Sequence, residues 1–242
     1  MLGKIKTRTI GVTLGFIVLA AGIAFSNPNS ETSVSPDEAL QKLMYGNKHF
    51  VENKLTNAAR SDAATRTSLT KSQKPYAIIL TCSDSRVPPE LIFDKGLGEL
   101  FVVRIAGNIP DPVVIGSIEY AAEHLGSPLI MVLGHERCGA VTATVDSKGK
   151  STGSENIDAI VKVIEPNVDL AAKDCNACKG DNKCAETKKN EFVECVIDAN
   201  AKTVVATLTQ KSMILKHLVE AKKIRIVAAK YDLDDGIVTL FK

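Results

Sequence analysis

Short runs of consecutive apolar residues alternate with longer stretches of helical period along most of the chain. Tyr76 to Cys82 is one such run, bounded by Pro75 and by Ser83-Asp84, and it reads as a strand buried on both faces. Phe101 to Ile105, Leu129 to Leu133 and Ile224 to Tyr231 read the same way. Asp234-Asp235-Gly236 is a turn signal, so Ile237 to Leu240 predicts a last strand folded back on the fourth as a hairpin. Val113 to Leu125 has helical period and stops at Gly126 and Pro128. Upstream, Ser35-Pro36-Asp37-Glu38 supplies an N-cap, a proline at the first helical position and acids in the first turn. Leu40, Leu43, Met44 and Phe50 then recur at helical spacing, and Thr56 to Lys74 is a polar connection. This rhythm predicts an α/β fold: a mostly parallel central sheet with one antiparallel edge strand and helices on both faces. Ligands of such sheets bind just beyond the carboxyl ends of strands.

The first residues fit neither pattern. Lys4, Lys6 and Arg8 precede a charge-free run from Ile10 to Phe25, with Gly22 and Ala24 as small residues. This reads as a signal peptide, residues 1–24, cut after Ala24. A run of 16 residues is short for a membrane span of about 20. Residues 25–34 read as a polar linker, and 35–242 are expected to form a single domain. The expected location is the periplasm, with secretion as the second choice and no stable membrane association after cleavage. Lys and Arg number 30 against 28 Asp and Glu, so there is no basic excess to bind nucleic acid. A chain of 242 residues buries enough core to need no metal or disulfide for folding. Its six Cys therefore call for another explanation.

Two of them stand at predicted strand ends. The first strand runs into Cys82-Ser83-Asp84-Ser85-Arg86, the third into Gly134-His135-Glu136-Arg137-Cys138-Gly139. Two thiols and an imidazole suit zinc, and three protein ligands leave the open position of a catalytic site. Zinc lowers the pKa of bound water to about 7 and so provides hydroxide at neutral pH. Asp84 lies two residues beyond Cys82 and Arg86 two further on. An Asp beside an Arg stays ionised, and could orient that hydroxide without swinging onto the metal.

These residues resemble the β-class carbonic anhydrases. The matching segments are Cys82-Ser-Asp-Ser-Arg-Val87, Phe101-Val-Val-Arg-Ile-Ala-Gly-Asn108 and Gly134-His-Glu-Arg-Cys-Gly139. The resemblance implies one zinc per subunit on Cys82, His135 and Cys138, an Asp84–Arg86 dyad, and reversible hydration of carbon dioxide. It carries over Gln73, Phe101, Ala106, Tyr120 and Gly139 as substrate-binding residues and His124 as a proton shuttle. It also implies a homodimer or tetramer in which a second subunit completes each cleft. The bicarbonate-regulated subgroup has a Trp three residues before the first zinc Cys. Ile79 stands there in this chain, which places the resemblance with the plant-like, constitutively open subgroup. Arg104 is expected to anchor structure through a salt bridge.

The segment 174–195 departs from the family. Cys175, Cys178, Cys184 and Cys195 lie there among Lys, Asp and Asn. In an exported protein four such Cys read as two disulfides, with three pairings open, pinning a surface helical hairpin. A four-thiolate zinc site and a redox-active Cys-x-x-Cys are the sharper alternatives for these residues. For the whole chain the alternatives are a carbon disulfide or carbonyl sulfide hydrolase on the same scaffold, and a non-catalytic zinc-binding module.

Overall fold

The computed structural model describes residues 34–175 and 186–242. The leader, all of the linker but Val34, and Cys178 and Cys184 lie outside the described residues. Helix α1 (Pro36–Val51) starts as its sequence predicts. The Ser35 hydroxyl accepts from the Glu38 amide, while the Glu38 carboxylate accepts from the Ser35 amide, so two otherwise orphaned donors are satisfied. The polar connection holds a short 3-10 turn and helix α2 (Ala63–Ser68). Strand β1 (Ala77–Thr81), the single turn α3 (Pro89–Ile92), strand β2 (Leu100–Arg104) and a 3-10 turn over Ala106–Asn108 follow. Helix α4 (Pro112–Glu123) leads to β3 (Leu129–His135) and α5 (Gly139–Ser147). Helices α6 (Glu155–Asp174), α7 (Glu186–Lys211) and α8 (Met213–Glu220) precede β4 (Arg225–Tyr231) and β5 (Val238–Leu240).

Among the described residues, the five strands form one sheet of order β2-β1-β3-β4-β5. All pairs are parallel except the final β4–β5 hairpin. The fold class read from the apolar runs is therefore the one observed. Central strands β1 and β3 are buried along their whole length, as expected of strands covered on both faces. On one face Ile79, Met131 and Leu133 pack with Ala39 and Leu43 of α1 and with Phe93. On the other, Ile78, Leu80, Ile130 and Val132 pack with Ile118 of α4 and with Val204 and Leu208 of α7. Each such fully buried side chain contributes about 2 kcal/mol of apolar transfer energy. A third cluster gathers Cys82, Cys138, Ile164, Val193, Val196 and Ile197 beneath the carboxyl ends of the strands.

Helix α1 is locked to the sheet by one amide side chain. Asn47 donates to the carbonyls of Ile92 and Gly236 and accepts from the Val238 amide, at 3.2, 2.8 and 2.9 Å.

Helices α6 and α7 form a hairpin closed by a Cys175–Cys195 disulfide, with Cα atoms 6.1 Å apart. The predicted hairpin is present, but its placement needs correction. Helix α7 is a core helix rather than a surface one, because Val193, Val196, Ile197, Ala201, Val204 and Leu208 are buried along it. The bridge also consumes two of the four thiols, which excludes a site of all four thiolates.

Candidate metal centre

Register brings the two motifs together. β1 and β3 are adjacent and parallel, with Thr81 opposite Leu133. The Thr81 hydroxyl donates to the Leu133 carbonyl at 2.9 Å and pins that register. Cys82 is the residue after β1 and His135 the last of β3. From these two strands the chain departs to opposite sides of the sheet, to β2 and to β4. Such a switch point opens a crevice at the strand ends.

The ligand atoms of Cys82, His135 and Cys138 lie within 4.8 Å of one another, and all three residues are buried. The two Sγ atoms are 3.9 Å apart. A tetrahedral zinc with bonds of about 2.3 Å requires sulfurs about 3.8 Å apart. His135 is fully buried, and its Nδ1 lies 2.8 Å from the Glu136 carbonyl oxygen. That acceptor places the proton on Nδ1 and leaves a lone pair on Nε2, a buried atom with no hydrogen-bond partner. Two soft sulfurs and a lone-pair nitrogen at this spacing fit zinc. Hydrogen bonding from Cys138 holds the Cys82 thiol well below its usual range, against burial, with the Gly107 amide helping. The same hydrogen bond, with burial, pushes Cys138 up.

Asp84 is turned toward Arg86. Its Oδ1 accepts from the Arg86 Nε and backbone N–H, both at 2.9 Å, and its Oδ2 from Nη2 at 2.7 Å. This two-pronged pairing holds the carboxyl far below the usual carboxylate range. Asp84 Oδ2 still lies 4.0 Å from His135 Nε2, at the edge of the cluster.

The family described as carbonic anhydrase matches residues 77–238. The chain belongs to the carbonic anhydrase family. Carbonic anhydrase 2 of Mycobacterium tuberculosis is 36% identical over 209 residues, covering 86% of this chain and 94% of that one. The fold is that of the β class. The β-carbonic anhydrase CcaA superposes with a TM-score of 0.66 at 23% identity, over 84% of this chain and 95% of that one. Two tetrameric β-carbonic anhydrases from Sordaria macrospora are represented by a match with a TM-score of 0.63 at 20% identity, over 84% and 96%.

The remaining family positions divide by place. Gly139 directly follows Cys138 and opens α5, and a Cβ there would meet nothing within 4 Å. Ala106 begins the 3-10 turn whose Gly107 amide donates to Cys82 Sγ at 3.4 Å. Gln73, Phe101, Tyr120 and His124 are not brought to the cluster within one chain. Gln73 precedes β1, at the end opposite Cys82. Phe101 pairs with Ile78, four residues and about 13 Å of strand short of Cys82. The Tyr120 ring lies 6.4 Å from that of Phe101 and 5.3 Å from that of His124. His124 is the C-cap of α4, with Glu123 at 3.8 Å.

Arg104 is the clear correction at the site. It makes no salt bridge among the described residues. Its Nε donates to the Cys82 carbonyl at 3.1 Å and its Nη2 to the Asp84 carbonyl at 2.6 Å. It therefore braces the Cys82–Asp84 loop through backbone oxygens, which no side-chain pattern reveals. The Gly107 amide also went unread as a thiol donor. Its signal was the Ala106-Gly107-Asn108 triplet, where Gly107 adopts φ +70°.

Proposed function

We propose that the protein catalyses the reversible hydration of carbon dioxide to bicarbonate and a proton, with one zinc per chain held by Cys82, His135 and Cys138. A zinc ion bound there supplies, through the lowered pKa of its water, a nucleophile at neutral pH. The observation that carries the reading is the Asp84–Arg86 pair beside the Cys-His-Cys cluster. A storage or docking module needs ligands but no ionised carboxylate held at their edge. Asp84 accepts a hydrogen bond from the attacking oxygen and aims its lone pair at the carbon. Arg86 occupies both carboxylate oxygens, so Asp84 does not become a fourth ligand. The open space at Gly139 leaves room for substrate against the first amide of α5, a donor for the oxygen on which charge develops.

Gln73, Phe101 and Tyr120 reach a cleft only if a second copy supplies them, so the working unit in this reading is at least a homodimer. His124 beside Tyr120 is assigned to proton export. The sequence-read leader sends the chain to the periplasm.

Stopped-flow carbon dioxide hydration on purified protein, with zinc quantified, tests the proposal. Expected are about one zinc per chain and rapid turnover, and an Asp84→Asn variant that keeps its zinc and loses most activity. Wild-type turnover in that variant would remove the dyad. Zinc-loaded protein silent from pH 6 to 9 would overturn the reaction.

A further inference from the structure

The three ligands stand at two strand ends: Cys82 directly follows β1, and His135 ends β3 with Cys138 three residues on. At the second, His135 and Cys138 are separated by Glu136 and Arg137. Arg137 sits in the left-handed region, φ 52°, where a side-chain-bearing residue is strained by about 1–2 kcal/mol. Its backbone N–H donates to Glu194 Oε1 at 2.9 Å. Glu194 is held in turn by Lys230, whose Nζ lies 2.7 Å from Oε2 and 3.1 Å from Asp198 Oδ1. Lys230 stands on β4 opposite Gly134, the residue before His135. The carboxylate thus ties the strained peptide between two ligands to the strand beside them.

At the first strand end, the Gly107 amide of the 3-10 turn after β2 is a donor to Cys82 Sγ. The Gly107 carbonyl accepts from Asn200 Nδ2 at 3.0 Å. Asn200 is buried, and its Oδ1 accepts from Asn167 Nδ2 of α6 at 3.1 Å. The amide pair therefore sets the 3-10 turn that aims a donor at the thiol. Glu194 and Asn200 both belong to α7. Six residues apart, they are about 9 Å apart along its axis. Ile197 between them packs over Gly134, 3.4 Å from where a Cβ would stand.

We propose that α7 is a positioning element of the metal centre, with Glu194 as positioning residue for the segment carrying Cys138 and Asn200 for the Ala106–Asn108 turn whose Gly107 amide meets Cys82. The inference rests on the reading that Cys82, His135 and Cys138 hold zinc. A helix that meets both the Arg137 peptide and the Gly107 turn gives them one common support, beside the β1–β3 register that Thr81 pins and the Arg86 Nη2 donation to the Arg137 carbonyl at 3.4 Å. Outer partners that orient ligands in this way are worth about 10–100-fold in metal affinity.

The test uses the full chain and zinc itself, by competition with a chromophoric chelator, together with the visible spectrum of the cobalt-substituted protein. Glu194→Met and Asn200→Leu are expected to weaken zinc about 10–100-fold and to alter the cobalt bands of the tetrahedral thiolate site. Glu194→Gln, which keeps an acceptor for the Arg137 amide, is expected to recover most of the affinity and the spectrum. A purely structural role would lower the melting temperature without this rescue and without a spectral change. Unchanged affinity and spectra in both truncating variants would overturn the proposal. Cys138→Ser separates the two readings: if it too leaves zinc affinity unchanged, the ligand assignment itself has failed. Should the truncating variants not fold, wild-type hydrogen exchange decides. The Arg137 amide, on an exposed residue, is expected to be protected, and free exchange there would overturn the role of Glu194.

Discussion

Asp94 is almost fully buried yet remains ionised. It accepts from His49 Nδ1 at 2.9 Å, from the Thr56 and Asn57 amides at 2.7 and 2.8 Å, and from the Thr56 hydroxyl at 2.9 Å. Burial pushes its pKa up, but the His49 and Thr56 hydrogen bonds and the Asn57 amide outweigh that and bring it down to about 2. An unfolded Asp titrates near 3.9. Because folding lowers this pKa, the stabilisation is complete above about pH 4 and lost as pH falls through about 2. Asn tolerates the same left-handed backbone, φ 48°. Asp94→Asn therefore tests the charge: an expected loss of about 2 kcal/mol at pH 7, shrinking as pH drops toward 3, in urea melts. A gap of constant size across that range would show that the carboxylate's charge is not what stabilises. At this scale the Cys-His-Cys cluster was legible because its members fall at strand ends. The partners of Arg104 were not, because carbonyl directions follow from loop geometry.

Among elements, the strands were the most readable, since β1 and β3 are buried on both faces and so almost uniformly apolar. Helix α1 was readable from its cap. What its sequence did not show is how closely it approaches α3. A Cβ on Gly46 would lie 1.8 Å from the Phe93 carbonyl oxygen. Gly46→Ala is expected to force the helix off the sheet at a cost of about 3 kcal/mol, read from denaturant melts. A loss below 0.5 kcal/mol would show that the contact gives way easily. Helix α7 was the element least legible as core. Glu194, Asp198 and Asn200 interrupt its apolar face, because they serve loops and a strand rather than the hydrophobic interior. A helix with polar residues on its inward side looks like a surface helix until its partners are seen.

For the molecule as a whole, strand order decides where chemistry can occur. Two ligand-bearing motifs more than 50 residues apart meet because β1 and β3 are neighbours while β2 lies outside them. The rhythm of runs announced a parallel sheet, but this adjacency depends on which helices cover which face. The Cys175–Cys195 bridge closes a long detour between β3 and β4. Replacing both Cys by Ser is expected to lower stability by about 3 kcal/mol, through the freedom returned to the unfolded chain. Melts of oxidised and double-variant protein check this, and identical midpoints would contradict it.

The same bridge has a mechanical consequence. Under tension applied at the two ends, force passes from Cys175 to Cys195 through sulfur and bypasses the chain between them, a sequence separation of 20. Fully stretched, that chain would span about 70 Å. An oxidised molecule in a single-molecule pulling experiment should therefore extend about 60 Å less than a reduced one, after allowing for the 6.1 Å between the bridged Cα atoms. The helical hairpin lies only partly inside that shielded ring: Glu194 is its last residue, whereas Asn200 stands on the loaded chain. One end of α7 would then feel a pull that the other does not.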